Sequence, residues 1–347
     1  MSDSNPRWRH RPEGSTWGDF GPDDQLGRLN LMTSEKVRQG VAEVREGRTF
    51  CLSLPLDVPG GNVLNPRRHP PRHRPTTQDG KPYINFPLAR LDPANTDVVS
   101  DDQVTLALQY STQWDALAHV GAFFDADGDG EAEKVYYNGY RAGEHILGPE
   151  SYDGEAVAPD QIGARALGIE NMAGHGLQGR GVLVDLKAHC GGDRVAVGHD
   201  ALMAILAADR VAVEAGDVLV VRTGYAELLL AMDKRPDKAR LDAACAVLDG
   251  RDDRLLAWIT ETGIAAIVAD NYAVEAYPAA PREGRRPALP LHHHCLFKLG
   301  VPLGELWHLA ELADWLRDHG RSRFLLTAPP LRLPGAVGSP ASPIATV

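Results

Sequence analysis

Four side chains able to hold a cation or move a proton fall close together in QYSTQWDALAH: Gln109, Gln113, Asp115 and His119. From Val104 onward, Leu106, Leu108, Tyr110 and Trp114 alternate with Ala107, Gln109, Ser111, Gln113 and Asp115. Alternate residues of a strand share a face. The pattern therefore predicts a strand that shows Gln109, Gln113 and Asp115 on one side and packs Tyr110 and Trp114 on the other. His119 follows Asp115 by four residues, where a turn brings its ring back over the carboxylate. The same alternation also describes a half-buried strand with a polar face in solvent. Two amide oxygens, a carboxylate and an imidazole make an oxygen-rich donor set. Such a set suits one divalent ion and favours manganese over zinc or magnesium.

The spacing resembles the signature HxGTHxDxPxH of the metal-dependent cyclase family, the kynurenine formamidase-like and isatin hydrolase-like hydrolases. Gln109 and Gln113 stand where two histidines usually stand, while Asp115 and His119 match the motif. A distant stretch, HHHCLFKLGVPLGELWHL, places His293 and Glu305 at the separation that family uses for a second His and Glu. Similarity continues through GLQGRGVLVDL, GDVLVVRTGY, ADNYAVEAYP and LRLPGAVGSPASPIA, and is strongest to the branch that carries STQWD. What the resemblance implies is a layered β/β/α swivelling α/β fold assembled as a homodimer or homotetramer. It also implies a small-molecule substrate, a cyclic or aromatic amide, lactam or lactone. Metal ligands would be Gln109, Gln113, Asp115 and His119, with His119, His293 and Glu305 moving protons. His292 and His294 are chemically equal to His293 until geometry chooses. Two other readings stay open. A lyase or cyclase would use the ion to stabilise an enolate, and a binding protein would have lost catalysis with the two histidines.

Composition limits the other possibilities. The 347 residues carry a formal net charge of -11 and a pI near 5.6, which disfavours nucleic acid or an anionic membrane as partner. Cys51, Cys190, Cys245 and Cys295 form no CxxC pair, so no zinc knuckle is expected. With no long apolar run and no signal-like start, the expected location is cytoplasmic.

The elements that must position these residues are read as follows. Residues 1–45 form an N-terminal extension and first helix, and 46–347 a single catalytic domain. The arginine-rich start is expected to drape over the surface, with Thr33 or Ser34 capping a helix from Glu35. RTFCLSLPL reads as a strand, and PRRHPPRHRP as a long loop whose Arg67, Arg68, Arg72 or Arg74 could meet an anionic product. DADGDGEAEKVYYNGY opens like a calcium loop through Asp125, Asp127 and Asp129, but Tyr136 stands where a glutamate is needed, so it reads as an acidic turn. Helices are expected over 162–172, 239–262 and 304–319, the last with Glu305 in its first turn. VLVDL, GDVLVVRTG and GIAAIVADN read as buried strands, and RFLLTAPPL as a closing one.

Overall fold

The β-branched runs form the centre of one large sheet. In the computed structural model, which describes residues 7–347, that sheet has nine strands. They are β1 (Thr49–Cys51), β2 (Gln113–Asp115), β3 (Gln178–Asp185), β4 (Val218–Arg222), β5 (Ala266–Ala269), β6 (Leu303–Glu305), β7 (Arg323–Thr327), β8 (Gly338–Pro340) and β9 (Ile344–Thr346). Their spatial order is β1-β9-β7-β3-β4-β5-β6-β2-β8. The four central strands β3 to β6 run parallel, and antiparallel strands extend the sheet on both sides.

Central parallel strands lose water from both faces, which is why VLVVR and AIVA are continuously apolar or buried. Alternate residues feed two separate cores. Leu219, Val221, Ile267 and Ala269 pack under the helices His199–Ala208 and Asp253–Thr262. Val218, Val220, Ala266 and Val268 join Trp114, Trp307 and the helix Ala310–Asp318 on the other face. No helix among the described residues is long and apolar enough to cross a membrane.

The first helix is Ser34–Ala42, with Thr33 as its N-cap accepting from the Lys36 backbone N–H. It lies against β3 and β7 through a buried charge cluster. Arg180 donates two hydrogen bonds to Asp217, at 2.8 and 3.0 Å, and Lys36 a third at 3.0 Å. The start of the arginine-rich segment, residues 1–6, lies outside the described residues. From Trp8 onward the segment packs on the body: Arg9 and His10 donate backbone bonds to the Ala126 carbonyl.

Several expected elements break where side chains find tertiary partners. The alternation from Val104 to Asp115 is not one strand. Asp102–Thr105 pairs with Arg72–Pro75 inside the proline-rich loop, and 106–112 forms a turn closed by Tyr110 N–H to Ala107 O. Tyr110 donates to Gly61 O, and Thr112 to Leu306 O while accepting from Leu54 N–H. These bonds hold the stretch away from any ladder. The helix expected over 162–172 begins only at Ile169, because Gly163–Ala164 pairs with Ile146–Leu147 and Leu167 takes φ 61°. Residues 239–262 divide into Lys238–Asp242, a short strand Val247–Leu248 and Asp253–Thr262, with Asp252 capping the restarted helix. Glu305 ends strand β6 and does not start a helix; Leu306, at φ 56°, turns the chain away from helical geometry. The tail, which has no periodicity, supplies the edge strand β8 and the strand β9, inserted between β1 and β7, through backbone bonds that ask little of side chains.

Asp217 is fully buried between two cations that are themselves buried. Removing it strands both charges, so Asp217→Ala should lower unfolding free energy by about 3–5 kcal/mol. Glu214 pairs with Arg180 from a position 48% exposed, and Glu214→Ala should cost under about 1 kcal/mol. Urea unfolding of both variants checks the ranking; equal losses would refute it.

Candidate metal centre

Strand β2 is short but rigidly held. Trp114 points into the second core, edge-on to Trp307 with centroids 5.2 Å apart, and its indole donates to Ala328 O. Trp307 donates to Gln113 O. With Trp114 committed to that face, Gln113 and Asp115 must project from the opposite one. Glu305 lies directly across from Gln113 on β6, and the Gln113 amide donates to its Oε2 at 3.1 Å.

The helical turn Pro290–His292 brings the third component. Successive helical residues point about 100° apart, so the three histidines go three ways. His292 enters the cluster, with Nε2 3.3 Å from Glu305 Oε1 and 3.9 Å from Asp115 Oδ2. His293 turns out against Phe297 and lines a separate cleft of about 1070 Å³. His294 meets Thr260 Oγ1 at 2.9 Å. The expected pair His293–Glu305 is thus corrected to His292–Glu305. The physical cause is helical phase, which spacing alone does not define when three identical residues are adjacent. Immediately after His292 the chain widens into a π-helix, His293–Leu299, a form that often occurs at functional sites.

Two further residues complete the setting. Glu275, fully buried, accepts from His292 Nδ1 at 2.7 Å and from the backbone N–H groups of His292 and Leu291. It fixes the ring so that Nε2 faces the cluster. The sequence carried a signal for it in ADNYAVEAYP, but nothing there marks Glu275 as a partner for histidine. The backbone reaches both carboxylates through left-handed residues, Ala273 and Val274 before Glu275 and Leu306 after Glu305. Each such residue costs on the order of 1–3 kcal/mol, so tertiary contacts hold them in place.

His119 and Gln109 are near but placed differently. His119 Nε2 is 3.8 Å from Asp115 Oδ1, and its side chain is 23% exposed, which puts it on the open side. Gln109, in the turn, lays its amide over Gly338, where a Cβ would come within 2.5 Å of it. Gly338 is the residue opposite Asp115, so Gln109 shares that face without a hydrogen bond from its side chain to the cluster. Asp270, at the end of β5, is occupied by the Thr223 and Gly224 N–H groups and the Thr223 hydroxyl. His175 is exposed at a helix end. Asp125, Asp127 and Glu133 form a second acidic group. Its oxygens take the backbone N–H groups of Gly128, Gly130 and Ala126, with the Arg141 cation beside them.

Electrostatics show what the centre lacks. Burial pushes the Asp115 carboxyl above its ordinary range, with His119 opposing and Glu305 adding to the rise. Burial acts likewise on Glu305, but the hydrogen bond and charge of His292 outweigh it and hold that carboxyl low. Burial disfavours the imidazolium of His292, yet Glu275 and Glu305 raise it to about 10. Both oxygens of Asp115 and Oε1 of Gln113 are buried without a hydrogen-bond donor among the described residues. Three orphaned acceptors beside an imidazole and a second carboxylate fit a cation. Asp115, His292 and Glu305 can each offer an atom within 4.8 Å of the others.

His294, 7% exposed, is kept neutral by burial, its pKa lowered to about 4. Between pH 4 and 6.5 the unfolded chain binds the proton that the folded one refuses. The stability from this group is therefore complete above pH 6.5 and is lost as pH falls toward 4. At about 1.4 kcal/mol per unit, His294→Gln should flatten the acid fall in unfolding free energy by roughly 3 kcal/mol. Urea midpoints across that range test it, and an unchanged slope would count against a neutral His294.

Comparison with known proteins agrees with this architecture. The Cyclase family model matches residues 50–276. A crystal structure of a novel cyclase is 32% identical, covering 96% of this chain and 97% of its own, with TM-score 0.74. Isatin hydrolase A from Labrenzia aggregata, bound to benzyl benzoate, is 15% identical over 90% of this chain and 98% of its own, with TM-score 0.54. An isatin hydrolase bound to the product analogue thioisatinate is 13% identical over 91% and 99%, with TM-score 0.53. The two isatin hydrolases share the fold, as the resemblance of the motifs implied. No curated protein matches. By the family model and by the fold that carries its motif residues, this chain belongs to the cyclase family.

Proposed function

We propose that the chain is a metal-dependent hydrolase that opens an amide, lactam or lactone bond of a small cyclic or aromatic substrate. The observation that carries this reading is the set of buried, unpartnered oxygens on Asp115 and Gln113 facing His292 and Glu305. Asp115, His292 and Glu305 would hold the ion, with the Gln113 amide oxygen as a further donor. One nitrogen among several oxygens favours manganese over zinc or magnesium. When bound, a divalent ion lowers the pKa of its water toward about 7 and polarises a carbonyl.

The protein's own groups do the rest. Glu275 fixes the His292 tautomer and orientation. Glu305, held ionised, can take a proton from water. His119, partly exposed beside Asp115, is placed to pass a proton to the leaving nitrogen or oxygen. The shared fold supports this choice of reaction, since isatin, for which two of the neighbours are named, is a cyclic amide.

The first test is elemental analysis after reloading with manganese. Wild type and His293→Ala should retain near-stoichiometric metal, while Asp115→Asn and His292→Ala should lose it with folding intact by circular dichroism. Retention in His292→Ala would refute the ligand set. Glu275→Gln should weaken metal affinity about 10–100-fold. With isatin and small lactones as trial substrates, turnover in labelled water should place one labelled oxygen in each product; label-free product would instead favour a lyase.

A further inference from the structure

Arg68 is the cation that the mechanism above leaves unused. It sits on the proline-rich loop, part-buried, and stacks over the Tyr272 ring with its guanidinium 5.7 Å from the centroid. One N–H group donates to Gln109 O at 2.8 Å. A guanidinium carries five donors in a planar fork, so most of its donors remain available. The loop is fastened at this point: Asn65, buried, accepts from Arg67 N–H through its side chain and from Arg68 N–H through its carbonyl, and donates to the Tyr272 hydroxyl. Arg68, Gln109, Tyr272 and Leu306, the neighbour of Glu305, line one small chamber of about 10 Å³. That is about the room of a single water, enough for one oxygen-sized group and too little for a ring. The positive charge of Arg68 is felt by both Asp115 and Glu305.

We propose that Arg68 is the carboxylate-recognition residue of this site, binding the carboxylate that hydrolysis creates. The inference rests on the hydrolase reading. In that reaction a water oxygen bonds to the carbonyl carbon and the C–N or C–O bond breaks. The bonding pair leaves with nitrogen or oxygen, which takes one water proton. The new acid releases the other proton to become a carboxylate. Negative charge thus appears in a place already crowded with Asp115, Glu305 and Glu275, and Arg68 is a guanidinium whose chamber reaches Leu306, the residue next to Glu305. A guanidinium held in place by its planar fork gives one carboxylate oxygen a charge-assisted hydrogen bond of fixed direction, which a flexible lysine ammonium does not.

The test uses manganese-loaded full-length protein and two probes, benzoate and its neutral counterpart benzamide, titrated by calorimetry. Benzoate should bind wild type and lose at least about tenfold in affinity in Arg68→Gln, with Arg68→Lys between them. Benzamide affinity and metal content should stay the same in all three. Equal benzoate affinity in wild type and Arg68→Gln, at equal metal content and thermal midpoint, would overturn the assignment. Inhibition of trial-substrate turnover by its own ring-opened product separates the two sources of carboxylate. If Arg68→Gln raises the product inhibition constant and leaves KM unchanged, the residue serves the nascent carboxylate as proposed. If KM alone rises, it serves a carboxylate fixed on the substrate, and the proposal falls. Repeating the titration without metal keeps the two readings distinct. Arg68-dependent benzoate binding in a protein that takes up no metal would preserve the recognition role and defeat the hydrolase reading.

Discussion

Everything near this site answers one constraint, the burial of Asp115, Glu275 and Glu305 within one small volume of an apolar interior. Ionised carboxylates leave water only when a cation or a set of donors replaces it. His292 supplies part of that replacement, bridging Glu275 and Glu305. Asp115 receives no hydrogen bond from it, and among the described residues both its oxygens stand without donors. The charge arrangement therefore fits a further cation, and a metal ion at His292 Nε2 would take the place of the proton that the carboxylates hold there.

Holding such a cluster requires a rigid surround, and the N-terminal segment supplies much of it. A π-helix leaves carbonyls that ordinary helical bonding does not satisfy. Trp17 donates its indole to Phe297 O, Thr16 donates to Lys298 O and Leu299 O, and Arg28 N–H to Gly300 O. The Arg28 guanidinium then closes the end of Asp253–Thr262 through Ile259 O and Thr260 O. Gly27 lies so near Gly300 that any Cβ would meet backbone at 2.1 Å, and its φ of 58° also suits glycine. The segment from Thr16 to Arg28 is thus the brace beneath the histidine-bearing turn.

The two glutamines of the motif no longer look equivalent. Gln113 stays within the carboxylate face of β2 and offers an oxygen, whereas Gln109 sits in a turn whose carbonyl is taken by Arg68. An amide at position 113, where the motif usually has an imidazole, gives that face an oxygen donor in place of a nitrogen. The cyclase fold is kept while the chemical character of its centre shifts.

Much of this was legible in the chain itself. Runs such as VLVVR and AIVA dictate buried strands because β-branched side chains suit a pleated surface covered on both faces. Thr33 marks a helix start because its hydroxyl can accept a backbone N–H of the first turn, and the spacing of Gln113 and Asp115 assigns them to one face of a strand whatever surrounds it. Other features depended on contacts between distant segments. Residues 106–112 left the strand pattern because Gly61, Leu54 and Leu306 offered bonds that no local rule foresees. Glu305 became a strand end when β6 paired with β2. The choice of His292 over its two neighbours came from rotation about a helical axis, fixed by Glu275 and by the brace on the π-helix. Local chemistry determined which residues could serve; only three-dimensional packing, through helical phase and buried charge, decided which of them meet.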